Sequence, residues 1–229
     1  MIRPALALLA LLSVPALAAE RRVSVGSFDR VRVTGPFEVT HRLGSPGASV
    51  SGDARALERV EIRVDGTTLT IRAAGGAWGE RPELGADGPV TIALSSPALA
   101  AASVFAGGRL SAARMRGPRV DLSVSGSGAL SVADVQADQV AATLVGTGTV
   151  TLAGRAARAR LVGNGSGKID AGGLDAGELT VLLDGPGEAL ASARHVARVT
   201  NTGLGNVAVA GNATCVVTAR AGGVVKCGR

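Results

Sequence analysis

Gly126-Ser127-Gly128, Gly146-Thr147-Gly148, Gly165-Ser166-Gly167, Gly185-Pro186-Gly187 and Gly203-Leu204-Gly205 recur along the second half of the sequence, with Ala106-Gly107-Gly108 before them and Ala221-Gly222-Gly223 after. Their first residues stand 20, 20, 19, 20, 18 and 18 apart. A period of this size marks a stack of supersecondary units, each too small to bury an apolar face alone. Four residues before each signature stand Ala102, Leu122, Ala142, Leu161, Val181, Val199 and Val217, all apolar. Four residues after it stand Leu110, Leu130, Val150, Ile169, Ala189, Val207 and Val225. The positions six before and six after are apolar as well, ending in Cys215 and Cys227. Between them lie Ser, Thr, Asp, Arg and Asn, so both flanks of each glycine turn alternate with period two, as half-buried strands do.

The irregularity of the repeat has a location. From six after one signature to six before the next, the gaps are 8, 8, 7, 8, 6 and 6 residues. The strand-turn-strand unit is therefore fixed, and the connecting segments, which hold Gly154, Gly172, Gly173 and Gly211, read as surface connections that absorb insertions. Two architectures can use such units: hairpins in an antiparallel barrel or sandwich, or single coils of a parallel β-helix. Periodicity alone does not choose between them. The inner columns favour the helix, because they hold Ala, Val, Leu, Ile and Cys, with Gly163 and Asn201 as exceptions, and none of the aromatic rings that fill sandwich cores.

Working outward, residues 23 to about 98 alternate at Val31/Val33, Phe37/Val39, Ile62/Val64, Leu69/Ile71 and Val90/Ile92/Leu94, with a turn signal at Asp65-Gly66. An open coil exposes strand edges and apolar bore, so this segment is expected to cover the first coil. The N-terminus reads as an export signal: Arg3, an apolar run from Ala5 to Leu12, and the small-residue cleavage site Ala16-Leu17-Ala18. The organisation expected is a signal peptide over 1–18, an N-terminal β capping region over 19–98 and a glycine-turn solenoid over 99–229. Cleavage removes Arg3 and lowers the formal charge from +6 to +5. That excess is mild, no run of five basic residues occurs, and the aromatic set is only Phe28, Phe37, Trp78 and Phe105, so nucleic acid is not expected as a partner. In an exported chain the cysteine pair, Cys215 and Cys227, reads as a disulfide rather than a metal site, since His41 and His195 are distant in sequence.

The glycine-turn repeats, behind the opening Phe28-Asp29-Arg30-Val31-Arg32-Val33 and Gly35-Pro36-Phe37-Glu38-Val39, then Leu69-Thr70-Ile71, Val90-Thr91-Ile92 and Ser96-Pro97-Ala98-Leu99, resemble the putative autotransporter adhesin head GIN domain family. The resemblance covers nearly the whole mature chain. It implies an all-β, right-handed parallel β-helix-like solenoid in an exported bacterial protein of the periplasm or cell surface, and no established catalytic residues.

β-Helices host polysaccharide lyases and hydrolases, but such reactions need clustered carboxylates or metal ligands. Asp121, Asp184, Glu188 and Asp170 occupy different positions of the repeat, and Lys168 with Glu188 reads as a solvated ion pair in one column. Asn164-Gly165-Ser166-Gly167-Lys168 lacks the spacing of a phosphate loop and reads as a turn. Thr147, Thr149 and Thr151 suggest an ice-binding array, which Ser166, Lys168 and Asp170 in the next coil break. Arg194 and His195 read as solvated loop residues, and His41 as a half-exposed structural histidine. Trp78, in a glycine-rich stretch, is the candidate ligand contact, with packing over the cap as the alternative. No catalytic residue, metal or cofactor is expected. The expectation is a non-enzymatic structural or adhesive module for an envelope or surface ligand such as a glycan, with a lyase or hydrolase as the alternative.

Overall fold

The computed structural model describes residues 19–74 and 90–228. The expected signal peptide and Trp78 lie outside the described residues. The elements run β1 (Ala19–Val23), β2 (Arg30–Thr34), β3 (Glu38–Leu43), β4 (Gly47–Gly52), α1 (Ala54–Glu58), β5 (Val60–Asp65), β6 (Thr68–Ala73), β7 (Thr91–Ser96), β8 (Ala101–Phe105), β9 (Arg109–Ala112), β10 (Met115–Gly126) and β11 (Ala129–Gly146). They continue through β12 (Thr149–Asn164), β13 (Lys168–Asp184), β14 (Glu188–Asn201), β15 (Asn206–Ala210), β16 (Thr214–Ala219) and β17 (Val225–Cys227).

Like positions of successive repeats stack in parallel register, which decides for coils over hairpins. Leu122 pairs with Ala142, Ala142 with Leu161, Leu161 with Val181 and Val181 with Val199. After the turn, Leu130, Val150, Ile169, Ala189, Val207 and Val225 form an equally unbroken column. The chain is a parallel β-helix-like solenoid whose single apolar core runs from Phe28 to Val209.

Between β15 and β16, residues 211–213 lie outside any strand, but in the middle coils the connecting segments are strands rather than loops. Met115 pairs with Val135, Val135 with Gly154 and Gly154 with Leu174, so they form a third β side, set off by register shifts between Val132 and Val135, Thr151 and Ala153, and Ala171 and Asp175. Met115, Val135, Leu174, Ala156, Ala176 and Ala193 are buried beneath it. Each stretch is too short for alternation to declare itself, and half of these inward residues are alanine. Arg194 and His195 accordingly sit in a strand, β14, rather than in a loop.

The glycine turns stack backbone on backbone. The amide of Thr149 donates to the carbonyl of Gly128, Lys168 to Gly148, Glu188 to Gly167 and Asn206 to Gly187, at 2.9–3.0 Å. A Cβ on Gly167 would lie 2.5 Å from the Gly148 oxygen and 2.7 Å from Leu144 Cδ2. Gly165, at φ +112°, combines that crowding with a left-handed backbone.

The ladder reaches further back than the repeat signature. β2 pairs with β8 and β3 with β9, placing Val31 on Ala102, Val33 on Val104 and Val39 on Leu110. Gly35-Pro36-Phe37 is thus the turn of an earlier coil, with buried Phe37 where later coils carry the second glycine. On the other side of this coil lie β6 and β7, followed by the antiparallel strands β5 on β6, β4 on β7 and β1 on β4. Stacking order therefore departs from chain order here.

His41, expected to be half exposed, is buried in this coil, 1 % exposed, with its ring edge toward Phe28. Ser96 Oγ donates to the Ala98 carbonyl at 2.8 Å and stands 2.9 Å from His41 Nε2, so Nε2 carries the proton and donates to it. Nδ1 is buried and has no partner among the described residues. Desolvation by burial lowers the His41 pKa and keeps the ring neutral.

At the other end, β16 and β17 pair only with the preceding coil. Val217, expected in an inner column, is 45 % exposed, because no described coil covers that side of the bore. Val216, Val224 and Leu204 are exposed with it. The Cys215–Cys227 disulfide ties β16 to β17.

Three outcomes follow from this packing. Leu183 fills the space beside Gly163, where an added Cβ would lie 2.8 Å from Leu183 Cδ1, so Leu183→Ala should cost about 2 to 5 kcal/mol in urea melts. A loss well under about 1 kcal/mol would contradict the packing of this column. The disulfide closes a loop of sequence separation 12, and Cys215→Ser/Cys227→Ser should lower stability by about 3 kcal/mol in the chain-entropy account. An unchanged melt would show the terminal coil indifferent to it. For His41, protonation is disfavoured in the fold, so stability is complete above the ordinary value of 6.5 and falls as pH drops from there toward the lowered pKa. The slope is bounded above by about 1.4 kcal/mol per pH unit, the limit for one proton. His41→Leu should flatten it, and parallel slopes in the two proteins would refute the assignment.

Candidate binding face

The outward residues of the three sides differ in kind. On the strand after the turn they are mostly short or paired, with Lys168 Nζ 3.1 Å from Glu188 Oε2 as the sequence suggests; Leu190 and exposed Lys226 are exceptions. On the third side and the strand it feeds, arginines and carboxylates alternate along and across coils. Arg119 binds Asp121 through both carboxylate oxygens, at 2.8 and 3.0 Å. Arg114 reaches Asp134 at 2.7 Å, and Gln136 donates to the same oxygen at 3.1 Å. Arg194 reaches Asp175 at 3.1 Å.

Between these projecting side chains the surface is low. Gly117, Ala137, Gly154, Ala156 and Ala157 floor an open groove of about 860 Å³, walled by Asp134, Asp138, Arg155, Asp175 and Arg194. Beside it, Arg119, Gln139, Arg158, Arg160, Glu178 and Thr180 surround a smaller depression of about 300 Å³. The groove has its form because third-side positions facing outward over alanine and glycine alternate with long charged chains.

Most carboxylates of the repeat already have partners. Asp170 accepts from the Gly172 amide at 3.3 Å and Asp184 from the Thr202 hydroxyl at 3.1 Å, while Asp121, Asp134, Asp175 and Glu188 are held by cations. No group of three or more His, Cys, Asp or Glu residues is placed to hold a metal ion among the described residues. Asn164 to Lys168 forms a turn of the solenoid that leads into β13, not a helix. Asn201, the polar exception in an inner column, is buried and spans its own turn, donating to the Gly205 carbonyl at 2.8 Å and accepting from the Gly203 amide at 3.2 Å. The groove was not apparent in the sequence, since the third side that builds it reads there as a connection.

Among families, residues 27–213 match the one described as putative auto-transporter adhesin, head GIN domain. Among solved structures, a putative adhesin from Bacteroides fragilis superimposes with a TM-score of 0.84 at 18% identity, covering 93% of this chain and 97% of that one. A putative adhesin from Parabacteroides distasonis gives 0.72 at 22% identity, with 93% and 98% covered. A protein described as a putative lipid binding protein from the same organism gives 0.68 at 18% identity, with 93% and 97% covered. Comparison with curated proteins finds no match. At these identities the structural likeness speaks for the fold.

Proposed function

The chain belongs to the putative auto-transporter adhesin head GIN domain family, and from that premise we propose that it is an exported, non-catalytic binding module of the bacterial envelope. The observation that carries the reading is the state of the carboxylates on the open side faces. Hydrolysis of a glycosidic bond needs two of them free and facing across a substrate, and lyase chemistry needs acidic ligands gathered on a metal. Here they are dispersed over coils and largely engaged by arginine, lysine, amide or hydroxyl partners.

Export is supported by the signal-like residues 1–18 and by the disulfide, which an oxidising compartment favours. Residues 19–98 act as the cap of the solenoid, with antiparallel β4 and β5 beyond its last parallel coil. The ligand is an envelope or surface glycan, bound through many shallow contacts along the stack, so a single contact is weak and attachment depends on multiplicity. Trp78 is the sequence's own candidate for an added ligand contact.

Purified mature protein, incubated with neutral and acidic polysaccharides, should be retained on one or more of them without releasing reducing ends or unsaturated products. Turnover that vanishes on Asp170→Asn or Glu188→Gln would overturn the non-catalytic reading.

A further inference from the structure

Ion pairing leaves positive charge concentrated on one face of the middle coils, with exposed Arg220 and Lys226 of the terminal coil also lacking an ion pair among the described residues. Arg109, Arg114, Arg119, Lys168 and Arg194 each have a carboxylate oxygen within 3.2 Å. Arg116, Arg155, Arg158, Arg160 and Arg198 are exposed and have no ion pair among the described residues. All five lie on the third side or on the strand it feeds, and none on the strand after the turn. The carboxylates on that surface without an ion pair among the described residues, Asp138, Glu178 and Asp184, are fewer than the five arginines, so its local charge is positive.

Their placement is regular. Arg116 belongs to the coil that turns at Gly126, Arg155, Arg158 and Arg160 to the coil that turns at Gly165, and Arg198 to the coil that turns at Gly203. Arg160 and Arg198 stand in one column with Thr180 between them. Each step is two coils, about 9.6 Å at the usual inter-strand spacing. Arg158 and Arg160 are two residues apart in β12 and project outward together. The solenoid holds these charges in a diagonal band at fixed intervals.

Resting on the binding-module reading, we infer that this arginine band binds a linear polysaccharide bearing carboxylates. The guanidinium fork matches a carboxylate with two parallel hydrogen bonds, and every unpaired cation of the band is arginine. A row of cations spaced along the stack suits a polymer with repeating anions, because contacts made at successive coils add. Gln139 and Thr180, between the arginines, supply neutral hydrogen bonds for sugar hydroxyls. Nucleic acid would need rings to stack its bases, and Phe28, Phe37 and Phe105 all lie in the N-terminal coils. A bilayer would need apolar side chains to enter it, and those between the arginines are Gln139, Ala141, Glu178 and Thr180.

The test compares wild type with Arg158→Gln/Arg160→Gln and with Arg220→Gln/Lys226→Gln, which removes the same charge from the terminal coil. Polygalacturonate is the ligand, with dextran and phosphatidylglycerol vesicles alongside, and thermal midpoints check that all three proteins are folded. Wild type should bind polygalacturonate at low salt, the Arg158/Arg160 variant at least about tenfold more weakly, and the terminal-coil variant within about twofold of wild type. Equal weakening in both variants would reduce the effect to net charge and overturn the site. So would a wild type that ignores polygalacturonate, or vesicle binding that alone depends on Arg158 and Arg160. Binding to dextran that does not depend on these arginines would remove the site and leave the binding-module reading intact. Product released from polygalacturonate while retention still depends on Arg158 and Arg160 would remove that reading and leave the site.

Discussion

The structure depends on how closely one glycine turn can lie on the next. Where Gly148 carries Gly167, the amide of Lys168 reaches back to the carbonyl beneath it, and a Cβ on either column would stand in another backbone's space. This contact brings the turns to strand spacing, which brings the flanking strands into register, which in turn aligns leucine on valine on isoleucine through the bore. A side chain at the turn would not merely add volume. It would lift one coil off its neighbour and break the ladder on both sides of it.

That dependence explains what could be read in advance. The turn glycines and the two apolar columns are repeated many times, and repetition makes a weak local pattern strong. The ion pair between Lys168 and Glu188 and the bond between Cys215 and Cys227 could be placed because they sit in those columns or beside them. What escaped the sequence has the opposite character. The third side has few residues per coil and buries alanine at Ala156, Ala176 and Ala193 beside Met115, Val135 and Leu174, which advertises no alternation. The coil at Gly35 belongs to the same ladder but replaces the second glycine with Phe37 and stacks out of chain order. His41 looked half exposed because a polar residue in a strand is ordinarily turned outward, whereas here Ser96 supplies an internal partner for one ring nitrogen.

The same constraint decides where function can reside. Turn positions are taken by backbone contact and inner columns by packing, so only outward positions are free to vary in chemistry. On the strand after the turn they stay mostly short or paired. The third side, whose length already differs from coil to coil, carries most of the long charged chains of the repeat. The surface is consequently wide and shallow, and its groups are spaced by the stack rather than gathered around a point.

The hydrogen bonds between coils also run along the solenoid's long axis, and this gives the molecule a mechanical grain. Force applied from one end to the other would load the ladders in series, so that the weakest terminal coil parts first and the next becomes terminal in turn. Each coil of 18 to 20 residues that peels away would change from about 4.8 Å of stack to roughly 65 Å of extended chain, a gain that dissipates work and spares the attachment. Force applied across the axis would instead meet many bonds at once. A tether built this way is compliant along its length and stiff across it, and the covalent cross-link in the last coil sets where peeling can begin.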